Sequence, residues 1–408
     1  MIHVYTLTSS LHDAGAVDAI TAEFLEAIGL KMELKGADFS SYGKGAPDLI
    51  YVRTGGTEGV FKALLPDLPK DRPFYLLTSG KSNSLAASME ILSYLNQHGL
   101  RGEILHGSPQ YLRERIGVLA AASEALAKLR GQRLGVVGAP SDWLISSGVD
   151  YATVHRNLGI ELVDVPMERL IARIKEMPDQ DGHDGDDGVI AGPIGNLSPV
   201  VKEALPGAEN IYRALKDIIA EENLNGLTIR CFDLLSAVHN TGCLALAKLN
   251  SEGFIATCEG DIPAMLSMAV ARAISGCSGF QCNASEINPE TREILFAHCT
   301  LPLSMARCYN FDTHYESGIG VGIHGEIPEG EVTVFKLAGD QSRFFAETGS
   351  IVANSYKPNL CRTQITVRLR EGSSAITDYF LKRPIGNHHI VLPGNHLAVL
   401  REMFFLNS

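Results

Sequence analysis

Two acidic segments, Phe232-Asp233 and Cys258-Glu259-Gly260-Asp261, are separated by one helix-length stretch and followed by His298 and the pair His388-His389. Carboxylate oxygens and imidazole nitrogens gathered by a fold are donors for a divalent cation, where a softer site would show paired thiolates. Glu259 carries the strongest signal. It stands directly after an apolar run, and burying an unpaired carboxylate there is costly unless a cation or a cationic partner compensates it. Cys258 and Cys299 flank the candidates without forming a C-x-x-C pair, which assigns them to packing.

These residues need elements to position them. Leu227 to Phe232 is a short apolar run that suits a buried strand, and residues 234–250 carry apolar side chains at helical intervals. Phe254 to Cys258 reads as the next strand, and Asp261 with Pro263 reads as the capped start of another helix. A strand, helix, strand unit places its strands parallel. Asp233 and Glu259 then sit at neighbouring carboxyl ends, where strands lie about 4.8 Å apart. A third strand over Glu293 to His298 is expected beside them, presenting His298 along the same edge, where open α/β sheets bind ligands. Asp261 is open between helix cap, ligand and base. His388 and His389 face opposite sides of a strand, so one of the two reaches the ion.

Earlier in the chain, strands at 2–8, 47–53, 73–78 and 102–106 alternate with helical patterns at 15–29, 84–98 and 112–130. This predicts a parallel-sheet α/β domain over 1–130. A second one is expected over 131–225, with strands at 133–138, 160–165 and 188–191. Gly135 and Gly138 do not complete a dinucleotide fingerprint. The acidic run 178–188 lacks the spacing of a calcium loop and reads as solvated. Trp143 follows a strand, as a sugar-stacking aromatic would. From about 330 to 408 the strand-like runs 331–338, 343–352, 362–370 and 389–393 have no regular helices between them. They predict an antiparallel sheet or small barrel appended to a catalytic region over 226–408. The polar loop at 310–318 makes His314 a candidate for substrate contact, as are His298 and Asn387.

The order of the segments Cys258-Glu-Gly-Asp-Ile-Pro-Ala264, Leu295-Phe-Ala-His-Cys299, Gly318-Ile-Gly-Val-Gly322, Cys361-Arg-Thr-Gln364 and Gly386-Asn-His-His389 resembles the L-fucose/L-arabinose isomerase superfamily. Thr54 to Glu58 and Asn83-Ser84 look like N-terminal segments of fucose isomerase-like proteins. The resemblance implies a metal-dependent aldose-ketose isomerase, usually with Mn²⁺, that moves a proton between C1 and C2 through a cis-enediol. It further implies Asp233 and Glu259 as an acidic pair, with Asp261 competing for the same role, and a ligand from His388-His389. Asp233 is shorter than the Glu of that pattern. A trimer or hexamer is implied too, with Glu58 or Trp143 serving a neighbour's site. Such chemistry needs a base, a group that returns the proton, and positive charge beside the developing oxyanion. Two carboxylates and a divalent cation supply all three.

The chain has 408 residues, a net charge of −12 and a pI near 5.6. That balance argues against a nucleic-acid partner, and no uncharged apolar run is long enough for a membrane span. All eight cysteines fall between 231 and 361 without a disulfide spacing, and Met1 to Thr8 runs straight into a strand without a signal-peptide core. A cytoplasmic enzyme acting on a free or modified sugar is the expectation. A metal-dependent lyase or epimerase, and a non-catalytic sugar-binding protein, are the alternatives.

Overall fold

The computed structural model describes residues 1–178 and 197–407. Most of the acidic run and the strand expected at 188–191 lie outside them. Two compact units form: Met1–Ala125 together with the tail from Ala398, and Leu126–Leu397.

The first unit is built on β1 (Ile2–Leu7), β2 (Met32–Gly36), β3 (Asp48–Val52), β4 (Phe74–Leu77) and β5 (Gly102–Leu105), all parallel, in the order β2-β1-β3-β4-β5. Its central strands read as continuous apolar runs because helices cover both faces. Tyr5, Ile50 and Leu76 meet Phe61 and Ile91 on one side, while Val4, Tyr51 and Leu77 meet Ile28 and Ile116 on the other. The polar edge strand β2 has no such run, which is why its sequence gave no strand signal. The C-terminal helix Leu397–Asn407 is tied to this unit through Glu402. That carboxylate accepts from Tyr75 Oη at 2.6 Å and pairs with Arg115 at 2.5 Å.

The second unit begins with a parallel sheet of β6 (Arg133–Val137), β7 (Glu161–Val165), β8 (Gly226–Ile229) and β9 (Ile255–Thr257), in the order β7-β6-β8-β9. The long helix expected between β8 and β9 is two helices, Asp233–Val238 and Cys243–Ser251. His239 turns the chain left-handed at φ 50°, and Gly242 follows where a Cβ would lie 2.5 Å from Ile229 Cδ1. Apolar periodicity runs through both pieces, so it could not reveal the break.

Beyond these, β10 (Phe280–Asn288), β11 (Glu293–His298), β14 (Gly330–Leu337), β15 (Phe344–Ser355), β16 (Thr363–Leu369) and β17 (His388–Pro393) close a barrel in the order β10-β11-β16-β15-β14-β17. All its pairings are antiparallel. The hairpin β12 (Cys308–Asp312) and β13 (Gly322–Glu326) lies outside it. Closure removes exposed sheet edges, and Phe280, Ile294, Phe296, Val334, Ile365 and Val391 belong to the core it forms. The expected α/β sheets and antiparallel barrel are thus present. One placement is corrected. β11 is a barrel strand antiparallel to β10 and β16, not a third strand of the parallel sheet, because the apolar Glu293–His298 run suits either setting equally. Among the described residues no helix is long and apolar enough to cross a membrane.

Candidate metal centre

The carboxyl edge of the second sheet carries three loops that converge. After β6 comes Gly138 to Trp143, after β8 comes Arg230 to Asp233, and after β9 comes Cys258 to Asp261. Glu259 and Gly260 are both left-handed, at φ 66° and 68°. For a residue with a Cβ this conformation is uncommon and strained, and such strain persists where the surroundings over-determine it. The surroundings here do so. Gly260 N donates to Ile229 O at 2.7 Å, Ser141 N donates to Glu259 O at 2.9 Å, and a Cβ on Gly260 would lie 2.4 Å from Ala139 O. Only glycine fits at 260, and the packed turn aims the Glu259 side chain. Asp261 then caps helix Ile262–Ser275, its Oδ1 accepting from Ala264 N at 2.8 Å.

The barrel supplies the imidazoles. His298 ends β11 and His388 begins β17. Glu259, His298 and His388 each offer one donor atom, all within 4.8 Å of one another. His388 Nε2 faces Glu259 Oε1 at 3.3 Å, and His298 Nε2 faces the same oxygen at 4.0 Å. The other ring nitrogens are held from behind, His388 Nδ1 by Asp261 Oδ2 and His298 Nδ1 by Thr300 Oγ1, both at 2.8 Å. Glu259 Oε2 accepts from the Trp143 indole N–H at 2.6 Å. His388 is wholly buried, yet its Nε2 makes no well-formed hydrogen bond among the described residues. A buried nitrogen without a well-formed hydrogen bond, facing a carboxylate and beside a second imidazole, fits a divalent cation.

Electrostatics follow from burial and these pairings. Burial opposes charge on Glu259, but His388, His298 and the Trp143 hydrogen bond hold its carboxyl at about 2. Asp261 also sits well below the carboxylate range despite burial, through Lys336 and His388. Burial alone would lower His388, but Asp261 and Glu259 raise it to about 9, whereas burial beside His388 lowers His298 to about 3. Burial and Glu259's charge raise the Glu316 carboxyl.

The structure therefore joins Glu259, Asp261, His298 and His388, with His298 in the donor set rather than only beside it. His389 points away: Tyr379 Oη meets its Nε2 at 2.9 Å, and the Phe380 ring lies 4.9 Å off, inside the barrel. Asp233 is not in the donor set. Its Oδ1 lies 3.3 Å from Arg230 Nε, and its side chain is 42% exposed. Arg230 also reaches Pro140 O and Asp142, bracing the Trp143 loop. Trp143 is half exposed and meets Phe232 edge-on at 4.9 Å; Phe232 in turn meets His314 at 5.7 Å. His314 Nδ1 is bound to Ser317 Oγ at 3.0 Å. Asn387 is exposed, its carbonyl accepting from His389 Nδ1 at 3.0 Å. Sequence reasoning passed over Lys336, whose Nζ lies 3.6 Å from Asp261 Oδ2 with both side chains buried. Its signal was a lone lysine between Phe335 and Leu337 in an apolar strand.

No protein-family model matches the chain. Among curated proteins it is similar to the sulfoquinovose isomerase of Alkalicoccus urumqiensis, 25% identical over an alignment 276 residues long, with 62% of this chain and 59% of the relative covered. It is also similar to the sulfoquinovose isomerases of Priestia megaterium (strain ATCC 12872 / QMB1551) and Priestia aryabhattai, each 24% identical over 273 residues covering 63% of this chain and 59% of the relative. The chain thus matches less than two thirds of the length of these relatives.

Proposed function

We propose that the chain is a metal-dependent aldose-ketose isomerase of the L-fucose/L-arabinose isomerase type, with a cis-enediol between substrate and product. The observation that carries this reading is the Glu259, His298, His388 donor set, whose buried His388 Nε2 faces Glu259 without a well-formed hydrogen bond. The sulfoquinovose isomerase relatives support the reaction class and make sulfoquinovose the first sugar to test. A soluble cytoplasmic homo-oligomer, trimer or hexamer, belongs to the same reading.

Mn²⁺ or another divalent cation held by these three donors would supply Lewis-acid polarisation of sugar oxygens. The protein's own part is orientation and proton handling. Trp143 pins one oxygen of Glu259, leaving the other turned to the two histidines. Asp261 has no surface with which to meet a substrate, so it serves His388 rather than the sugar. Asp233 and Glu316 have that surface, and a positioned carboxylate that can meet the substrate is a candidate proton shuttle. We assign them the C1–C2 proton. The exposed face of Trp143, with Phe232 and His314 behind it, offers an apolar wall to the sugar's C–H face.

The test is product analysis in D₂O with Mn²⁺-loaded protein and a panel of aldoses that includes sulfoquinovose. The proposal expects ketose carrying deuterium at C1, and deuterium at C2 of recovered aldose. An epimer labelled at C2 without any ketose would move the assignment to an epimerase. Neither ketose nor exchange with any aldose would overturn it.

A further inference from the structure

We infer that Lys336 is a positioning residue for the metal centre, acting on His388 through Asp261; the inference rests on the metal-site reading above. Lys336 lies on β14, and its side chain is 1% exposed. Its ammonium makes no hydrogen bond among the described residues, and Asp261 Oδ2 is 3.6 Å away. That same oxygen holds His388 Nδ1 at 2.8 Å, while Asp261 Oδ1 is committed to the helix cap. The order is therefore ammonium, carboxylate, imidazole, and then the Nε2 that faces Glu259 at 3.3 Å. Gly386 packs over the lysine, where an added Cβ would lie 3.3 Å from its Cε.

A buried lysine is expensive, and a buried ion pair is weak evidence for stability in its own right. Its use here follows from what the carboxylate touches. Groups behind a metal-ligating histidine fix the ring's orientation and tautomer, and their loss typically costs ten- to a hundredfold in metal affinity. Asp261 is such a group for His388. Lys336 is the cation that holds Asp261's carboxylate in place, with both side chains closed off from solvent.

The test measures Mn²⁺ binding by calorimetry and free-Mn²⁺ paramagnetic resonance on wild type, Lys336→Met, Asp261→Asn and the double variant. Lys336→Met weakens binding about tenfold, and the effect vanishes in the Asp261→Asn background because the lysine works through that residue. The double variant also removes both charges together, so it folds if the lone Asp261 carboxylate prevents the single variant from folding; its Kd then equals that of Asp261→Asn. A metal-independent readout is the exchange rate of the His388 Nδ1 proton by ¹⁵N-resolved NMR in chelator-treated protein, about tenfold faster in Lys336→Met. A merely structural lysine would lower Tm and leave Kd and proton exchange unchanged, which overturns the inference. Tighter binding, from loss of a like charge near the cation, overturns it too. If wild type binds no Mn²⁺ while the exchange rate still responds, the metal reading fails and the positioning role stands.

Discussion

His388 Nδ1 and Asp261 Oδ2 lie 2.8 Å apart, with neither side chain exposed to solvent. The residues are 127 positions apart, one starting a barrel strand and the other capping a helix of the parallel-sheet layer. Asp261→Asn keeps a good N-cap but exchanges a charged acceptor for a neutral amide. Mn²⁺ affinity falls ten- to a hundredfold, and Tm falls as well because the buried Lys336 ammonium loses its counter-charge; calorimetric titration and thermal melts would record both. Unchanged affinity would remove Asp261 from the site's support.

Glu259 and Asp233 separate by role. Glu259→Gln removes the charged oxygen that faces both histidines, and Mn²⁺ binding falls at least a hundredfold. Asp233→Asn leaves the donor set intact, so binding stays within about threefold while turnover falls by about 10² or more, the range for a lost proton shuttle. Equal losses of metal in both variants would return Asp233 to the ligand set.

Gly260→Ala tests the turn. The left-handed conformation costs a side-chain-bearing residue roughly 1–2 kcal/mol, and the new Cβ would lie 2.4 Å from Ala139 O. Destabilisation of several kcal/mol is expected in denaturant melts, with weaker metal binding in any folded fraction because Glu259 is re-aimed. A neutral substitution would mean that the turn does not hold Glu259.

The metal-free protein should be most stable near pH 6.5. His388, raised from 6.5 to about 9, contributes stability that is complete below 6.5 and is lost as pH rises toward 9. His298 and His389, lowered to about 3, stay neutral in the fold, so their contribution is present above 6.5 and lost as pH falls. Glu259, lowered from 4.5 to about 2, adds a loss below 4.5. Mn²⁺ reverses the alkaline limb. The cation takes Nε2 without its proton, so affinity rises with pH up to about 9. Melts from pH 4 to 10 with chelator and with Mn²⁺ should show the peak move upward; coincident profiles would contradict the His388 assignment.

Much of this centre was legible in the sequence because its acidic part is local. Cys258 to Asp261 follows an apolar strand directly, and the unneeded charge of Glu259 announced itself. The barrel was legible from runs such as Thr363–Leu369, which alternate and have only the single π-helical turn Ile376–Phe380 before the last barrel strand. What stayed hidden depends on pairing. The apolar run of β11 does not say which sheet it joins, so His298 was expected on the wrong one while still reaching the site. The choice between His388 and His389 is fixed by the register of β17 against β10, where Asn283 meets His388 and Cys282 meets His389. Asp233 reads as a strand-end ligand until Arg230 is seen beside it, and Lys336 gains its meaning only when β14 brings it to Asp261.

The most direct measurement is an anomalous difference map at the manganese edge from a crystal soaked in Mn²⁺. The account predicts one strong peak within coordination distance of a Glu259 oxygen, His298 Nε2 and His388 Nε2, with Asp261 one shell behind. A peak seated elsewhere, or no peak with these three side chains ordered as described, would contradict it.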